Sequence, residues 1–387
     1  MTVERLLTFG TALVILVTSL SPEMTAAASK MNESLVYIGT YTDQQSKGIY
    51  GYRFNSSTGQ LTPLGLAAES ANPSFLTTDA RGHFLYAVNE LDSYQGQPTG
   101  AVSAFAIDSA TGKLSLLNQV ASHDQGPAHI AIDRTGKFAF VSNYPLGSMA
   151  VFSVLKDGQL GKLSAFVRHQ GSSANKQWQQ GPHVHQVVFS PDNRFALVAD
   201  PGIDQVMAYP FDAGNGKLGK PVIAHAPPGS GPRHFAFDPG GRFLYVVNEL
   251  LSSVLTYAYD PRSGALSQAG IISTLPGGFS GTNYAAEIAV HPSGKFLYAS
   301  NRGDDSLAVF AIDPSKGTLK PIEFVQTNGK RPRNFALDPT GSWLLVGNQE
   351  SDNVVVFRID GKTGRLTATG EAIPVPSPAC VTFVPQP

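Results

Sequence analysis

The chemistry on offer in this sequence is concentrated between residues 183 and 333, at His183, His185, Arg233, His234, Glu249, Glu287, Arg302 and Arg333. Arginine keeps its charge and presents a planar fork of donors that suits carboxylate or phosphate oxygens. A Glu or His held near such a fork can move protons at neutral pH. Brought together, these residues would form a cationic pocket with an acid/base group inside it. The bland alternative is a set of ion pairs that only holds neighbouring elements together. His183 and His185 lie two apart, so an extended segment would put both on one side, as two metal ligands require. A catalytic zinc site needs a third protein ligand, and spacing assigns none. The expectation is therefore no metal, with His185 a general base or substrate contact. His234 follows Arg233 and should face the opposite side of its strand, in the core or between repeats. His225, in the loop AHAPPGSGPR, is a candidate to approach the same pocket, and His291 reads as a surface turn residue. Trp178 either covers the pocket or is a plain surface aromatic.

These residues fall at fixed places in a repeat. From Gly231 the chain reads GPRHFAFDPGGRFLYVVNELLSSVLTYAYDPRSGAL, and related copies open at Asn72, Gly126, Gly181, Asn283 and Arg331. The spacing of about 50 residues is that of a propeller blade. Each copy offers a short apolar strand (Phe235 to Phe237), a turn (Asp238-Pro239-Gly240-Gly241), a continuous apolar strand (Phe243 to Val247), an alternating strand (Val254 to Tyr259) and an outer strand from Leu266. A strand apolar on both sides is one buried on both faces, as when blades stack. Four antiparallel strands per unit make a blade. The first copy lacks its first strand: it begins at Val36-Tyr37-Ile38-Gly39, and the missing piece stands at the far end of the chain, Pro378 to Val384. The sequence thus predicts an all-β, seven-bladed β-propeller, closed when the C-terminal strand completes blade one and removes the open edge.

Comparison between copies separates residues the fold demands from residues it leaves free. Two positions vary. At the start of strand one stand Ser74, Ala128, His185, Arg233, Ala286 and Arg333. After the second strand stand Tyr41, Glu90, Tyr144, Pro201, Glu249, Arg302 and Gln349. Both should lie at one mouth of the central channel. The Asn that closes the second strand (Asn89, Asn143, Asn248, Asn301, Asn348) reads as an Asx turn.

The chain has 387 residues, 42% hydrophobic and 15% charged, with 39 Gly and 27 Pro, which suits many short strands joined by tight turns. A net charge of −1 carries no basic footprint for nucleic acid. The single cysteine, Cys380, excludes an intrachain disulfide. Arg5, the apolar run Leu6 to Leu20, Ser21-Pro22 and Ala26-Ala27-Ala28 follow the order of a secretory signal peptide over residues 1–28, leaving a single propeller domain over 29–387. The run is too short to span a bilayer comfortably. The expected location is exported, periplasmic or extracellular; were Met31 the true start, it would be cytoplasmic.

The motifs Gly39-Thr40-Tyr41-Thr42, Pro182-His183-Val184-His185, Gly231-Pro232-Arg233-His234, Val247-Asn248-Glu249-Leu250, Glu287-Ile288-Ala289-Val290 and Ser300-Asn301-Arg302-Gly303, in this order, resemble the seven-bladed propeller lactonase family. That family includes propeller-type 6-phosphogluconolactonases and fungal 3-carboxy-cis,cis-muconate lactonizing enzymes. The resemblance covers the chain after the leader. It implies His185, Arg233, Glu249 and Arg302 as catalytic residues, no metal and no organic cofactor. Around them His183, Glu287, Arg333, Glu90 and Tyr41 are expected to contact a small anionic lactone. The implied activity is hydrolysis of a sugar-acid lactone, 6-phosphogluconolactone by default. An exported enzyme would meet an unphosphorylated sugar-acid lactone instead. Two other readings stay open: a cycloisomerase closing a carboxylated muconate, and a non-enzymatic binding scaffold. A calcium-dependent gluconolactonase would need carboxylate-rich oxygen ligation at the mouth. The oligomeric state is not legible, nor is which of His185, Glu249 and Glu287 is the base.

Overall fold

The computed structural model describes residues 32–42 and 45–385; the leader expected over 1–28 lies outside them. The strands form seven sheets, one per repeat copy. In blade five, strand one is Pro232–Phe237, strand two Phe243–Asn248, strand three Ser253–Tyr259 and strand four Leu266–Ser273. Each pairs antiparallel with the next. Blade four departs from this pattern. Its outer strand is split into Lys217–Leu218 and Val222–His225, and both pieces pair with Gln205–Asp212. Blade one closes the ring as expected: Pro378–Phe383 pairs with Glu33–Thr40, with Val381 opposite Ile38. The first strands of successive blades touch one another all the way round, from blade one through blade seven and back.

The apolar second strands explain the stacking. In blade five, Leu244 and Val246 face a cluster shared with blade four, while Tyr245 and Val247 face one shared with blade six. The same division recurs at every blade interface, so the core is a ring of inter-blade clusters, each filled from both sides. The recurring Asp after strand one has a local job. The Asp238 carboxylate accepts the backbone N–H groups of Arg242 and Phe243 at 2.6 and 2.7 Å, Asp133 does the same for Lys137 and Phe138, and Asp338 accepts the Trp343 N–H at 2.7 Å.

The Asn after strand two does not make an Asx turn. At Asn248, Asn143 and Asn301 the amide instead crosses the hairpin to the residue that opens strand three, Asn248 to Ser253 at 3.0 Å, Asn143 to Ser148 at 3.2 Å and Asn301 to Ser306 at 3.2 Å, whereas the Asn89 amide bonds Ser70 and the Ala71 carbonyl. Asp200, which replaces Asn in blade four, does accept the N–H two residues on, that of Gly202. Among the described residues no helix is long and apolar enough to cross a membrane.

Candidate active site

Two features of the strands bring the variable positions together. The residue after strand two is tied by its N–H to the carbonyl that precedes strand one: Glu90 to Asn72, Tyr144 to Gly126, Glu249 to Gly231 at 2.7 Å, and Gln349 to Arg331. Strand one is also bulged at the key residue. Pairing jumps between Pro232 and His234, between Pro332 and Asn334, and between Pro127 and His129. Arg233, Arg333 and Ala128 are therefore the extra residues, and a bulge re-aims the side chain it carries. His234, expected in the core or between repeats, is buried and bridges His185 of blade four and Glu287 of blade six.

Glu249 lies between two guanidiniums. Arg302 donates from Nη2 to Oε1 at 2.6 Å, and Nε of Arg233 lies 3.4 Å from Oε2. Both arginines are further fixed by carbonyls: Arg233 Nη1 donates to Ala286 at 2.7 Å, and Arg302 Nε to Tyr284 at 3.3 Å. The side chains of Arg233 and Arg302 are 3% and 5% exposed against 17% for Glu249, so the carboxylate is the part of the cluster that reaches solvent. Gly303, at φ 145°, lets the chain after Arg302 run against the Thr282 carbonyl, which a Cβ would strike. Burial pushes the Glu249 carboxyl up, but Arg302 and Arg233 outweigh it and hold the group below the usual carboxylate range. Glu249 is thus a fixed anion and a weak base.

Arg333 is placed differently. It lies 5.3 Å over the ring of Tyr41, whose hydroxyl donates to Glu90 at 2.8 Å, and Ser74 donates to the same oxygen at 2.5 Å. Among the described residues no carboxylate lies within ion-pair distance of Arg333. Burial opposes its charge, but Tyr41, Glu90 and Glu249 hold its pKa above the ordinary value. Arg233, Arg302 and Arg333 thus stand with the carboxylates Glu249 and Glu90.

His185 and His183 part company. The chain at 183–185 is not strand, since strand one of blade four begins at Gln186, so the same-side argument fails there. The His183 ring stacks on Tyr144 at 4.7 Å and its Nδ1 meets the Tyr144 carbonyl at 3.1 Å. His185 turns inward, with Nδ1 3.1 Å from Nε2 of His234. Each ring thus commits its Nδ1 to a different partner, the Tyr144 carbonyl for His183 and His234 for His185. Among the described residues no three His, Cys, Asp or Glu side chains gather as a cation site would require. Burial, then Arg233 and His234, push the His185 imidazole well below its ordinary range, so it is neutral at pH 7.

Glu287 is held by protein partners on both oxygens. It is 7% exposed; Oε1 accepts the Ile288 N–H and faces Nδ1 of His234, each at 3.0 Å, and Oε2 accepts from Asn334. Blade packing buries it, and both of its oxygens are engaged by protein groups. His225 is displaced: it sits exposed on the outer strand of blade four, opposite Gln205. His291 is buried, with Nε2 2.8 Å from the Gly341 carbonyl.

Beside Glu249 a cleft open to solvent is lined by Tyr144, Trp178, Tyr284, Glu249, Arg302 and Arg331. Trp178 does reach it, edge-on to Tyr284 at 6.0 Å. Tyr284, Arg331, His129 and Asn334 were not singled out from the sequence. Aligning the copies one residue further along strand one would have raised His129 and Asn334 beside Glu287.

The family model described as Lactonase, 7-bladed beta-propeller, matches residues 35–383. A Bacillus subtilis protein named 6-phosphogluconolactonase is 35% identical over 92% of this chain and 100% of its own length. A Formosa agariphila protein of the same name is 39% identical over 78% of this chain and 86% of its own. Among solved structures, a periplasmic gluconolactonase of Pseudomonas aeruginosa superposes with a TM-score of 0.86 at 35% identity, over 92% of this chain and 100% of that one.

Proposed function

Because this chain belongs to the seven-bladed β-propeller lactonase family, we propose that its channel mouth hydrolyses a sugar-acid lactone, with 6-phosphogluconolactone the first substrate to test. Relatives named for that activity support the choice. The observation that carries the reading is the fixed Arg233–Glu249–Arg302 cluster, with neutral His185 and unpaired Arg333 in the same mouth.

The roles follow from these states. Arg333 takes the anionic end of the substrate. Arg302 and Arg233, oriented by Glu249, face the lactone carbonyl and stabilise the negative charge that grows on its oxygen. Glu249 supplies little basicity, so His185 is the general base: its Nε2 takes a proton from water as the oxygen attacks the carbonyl carbon. The carbonyl–ring oxygen bond then breaks, and the proton passes to the ring oxygen as it becomes a hydroxyl. No metal or cofactor enters these steps.

A second reading concerns the substrate. The leader expected over 1–28 and the likeness to a periplasmic gluconolactonase favour export, where an unphosphorylated sugar-acid lactone is the available substrate. N-terminal sequencing of protein recovered from the periplasm tests the leader directly. The function is tested by pH-stat hydrolysis of 6-phosphogluconolactone and glucono-δ-lactone with EDTA present, against the spontaneous rate and against Arg233→Ala. EDTA-resistant turnover that falls at least about tenfold in the variant supports a lactonase acting through this mouth. No rate above background on either compound removes both substrates. Ultraviolet loss of a carboxymuconate diene would instead favour the cycloisomerase.

A further inference from the structure

His185 is hindered as a base: burial and Arg233 resist an imidazolium there. Beneath it runs a chain of hydrogen bonds that the hydrolytic scheme leaves unused, from His185 Nδ1 to His234 Nε2 at 3.1 Å and from His234 Nδ1 to Glu287 Oε1 at 3.0 Å. We propose that Glu287 and His234 are positioning residues forming a buried proton relay, so that a proton taken by His185 Nε2 comes to rest on Glu287. The proposal rests on His185 being the base.

The hydrogen bonds fix the direction. Glu287 accepts the Ile288 N–H on Oε1 and the Asn334 amide on Oε2. The Asn334 amide cannot turn over freely, because its oxygen accepts the Val381 N–H at 2.8 Å. An ionised Glu287 therefore requires the proton of neutral His234 on Nδ1. Its Nε2 is then bare and must accept from His185 Nδ1. His185 is left with a bare Nε2, which no described residue bonds. When that Nε2 gains a proton, the Nδ1 proton passes to His234 Nε2, and the His234 Nδ1 proton passes to Glu287 Oε1. Each imidazole has then gained one proton and lost one, and only Glu287 has changed charge.

The surroundings favour that end state. Burial comes first at both imidazoles, Arg233 stands near both, and Arg333 adds to the positive field; Arg302 adds to it at His234, where Glu249 opposes it, so an imidazolium is disfavoured at either ring. The groups that bear on Glu287 itself are Arg233 and His234 of blade five, Asn334 of blade seven, His129 of blade three and Cys380 of blade one. Burial pushes its carboxyl up to about 7, against the opposing pull of the Ile288 N–H, Arg233, His129 and Asn334. A carboxyl more basic than the imidazoles above it is the condition for relay rather than charge separation.

The test is nuclear magnetic resonance of protein carrying ¹⁵N-histidine, with His185→Gln used to assign its signals. Between pH 5.5 and 8.5 the His185 ring nitrogens should exchange N–H and bare character about a midpoint near that of Glu287, without becoming imidazolium. Glu287→Gln, checked by thermal melting, should abolish the exchange, and His234→Phe should disconnect His185 from it. An imidazolium at His185, no exchange in the wild type, or exchange that persists in Glu287→Gln overturns the relay. The wild-type titration decides the matter should neither variant fold. Exchange seen in a protein that hydrolyses no lactone would sink the lactonase reading and leave the relay standing, whereas hydrolysis without exchange would do the reverse.

Discussion

Arg302 and Glu249 stand on different blades and meet at 2.6 Å, so one ion pair both ties blade six to blade five and aims a guanidinium at the channel mouth. Removing the anion and keeping the shape, in Glu249→Gln, leaves Arg302 and Arg233 facing each other without a counter-charge. Breaking a buried pair in this way costs about 3–5 kcal/mol. Denaturant titration of Glu249→Gln should show a loss of that order, and pH-stat rates a fall of at least about tenfold. Activity lost with stability unchanged would mean that Glu249 acts on the substrate rather than on the arginines.

Arg333 is the guanidinium left to take an anion, lying over Tyr41 with no paired carboxylate among the described residues. A hydrogen bond to a charged group contributes about 1.5–3 kcal/mol, roughly tenfold or more in affinity. Arg333→Ala should therefore raise KM for 6-phosphogluconolactone by about tenfold or more, with kcat little changed and a much smaller effect on glucono-δ-lactone. Equal effects on both lactones would show that Arg333 positions Tyr41 and Glu90 instead of binding phosphate.

The fold was legible in the sequence because a repeat declares itself. The apolar run Phe243 to Val247 reads as a strand buried on both faces, and Leu244 and Tyr245 do enter opposite clusters. The split first blade was equally plain, since Pro378 to Val384 is the piece missing before Val36. The mouth was legible at positions, because Arg233 and Glu249 stand where the copies differ. Side-chain direction was not. The bulges at Arg233 and Arg333 cancel strand alternation, and the chain at His183 to His185 is not strand. The link from His185 through His234 to Glu287 joins three blades, and pairings so far apart in sequence leave no mark in spacing. Glu287 reads from the sequence as a substrate contact, and the spacing gives no hint that His234, Ile288 and Asn334 engage its carboxylate in the structure.

Those buried groups set opposite pH dependences. His129, His185 and His234 are held well below the ordinary imidazole range, chiefly by burial. The unfolded chain binds their protons first, so their effect is a loss of stability as pH falls below the unfolded value of about 6.5. Glu287, raised to about 7 by burial, does the reverse: its contribution is present below the unfolded carboxyl value and fades as pH rises toward 7. Melting curves should show wild-type stability falling on acidification below about pH 6.5. The difference between wild type and Glu287→Gln should shift against wild type between about pH 4.5 and 7. A difference that stays flat across that window would mean that Glu287 is not raised.

The final strand carries the closure of the ring. Pro378–Phe383 pairs along Glu33–Thr40, the Val381 N–H donates to Asn334 of blade seven, and Cys380 packs in the cluster between blades one and two. Deleting 376–387 would expose the edge of Glu33–Thr40 and uncover two inter-blade clusters at once. An unpaired, apolar strand edge is a template for pairing with other chains. The truncated protein should elute as aggregates in size-exclusion chromatography and show no cooperative melting transition. A synthetic peptide of residues 376–387, present during refolding, should restore both by re-forming the missing strand. A truncated chain that stays monomeric and melts like the full chain would show that the other six blades hold the ring without this closure.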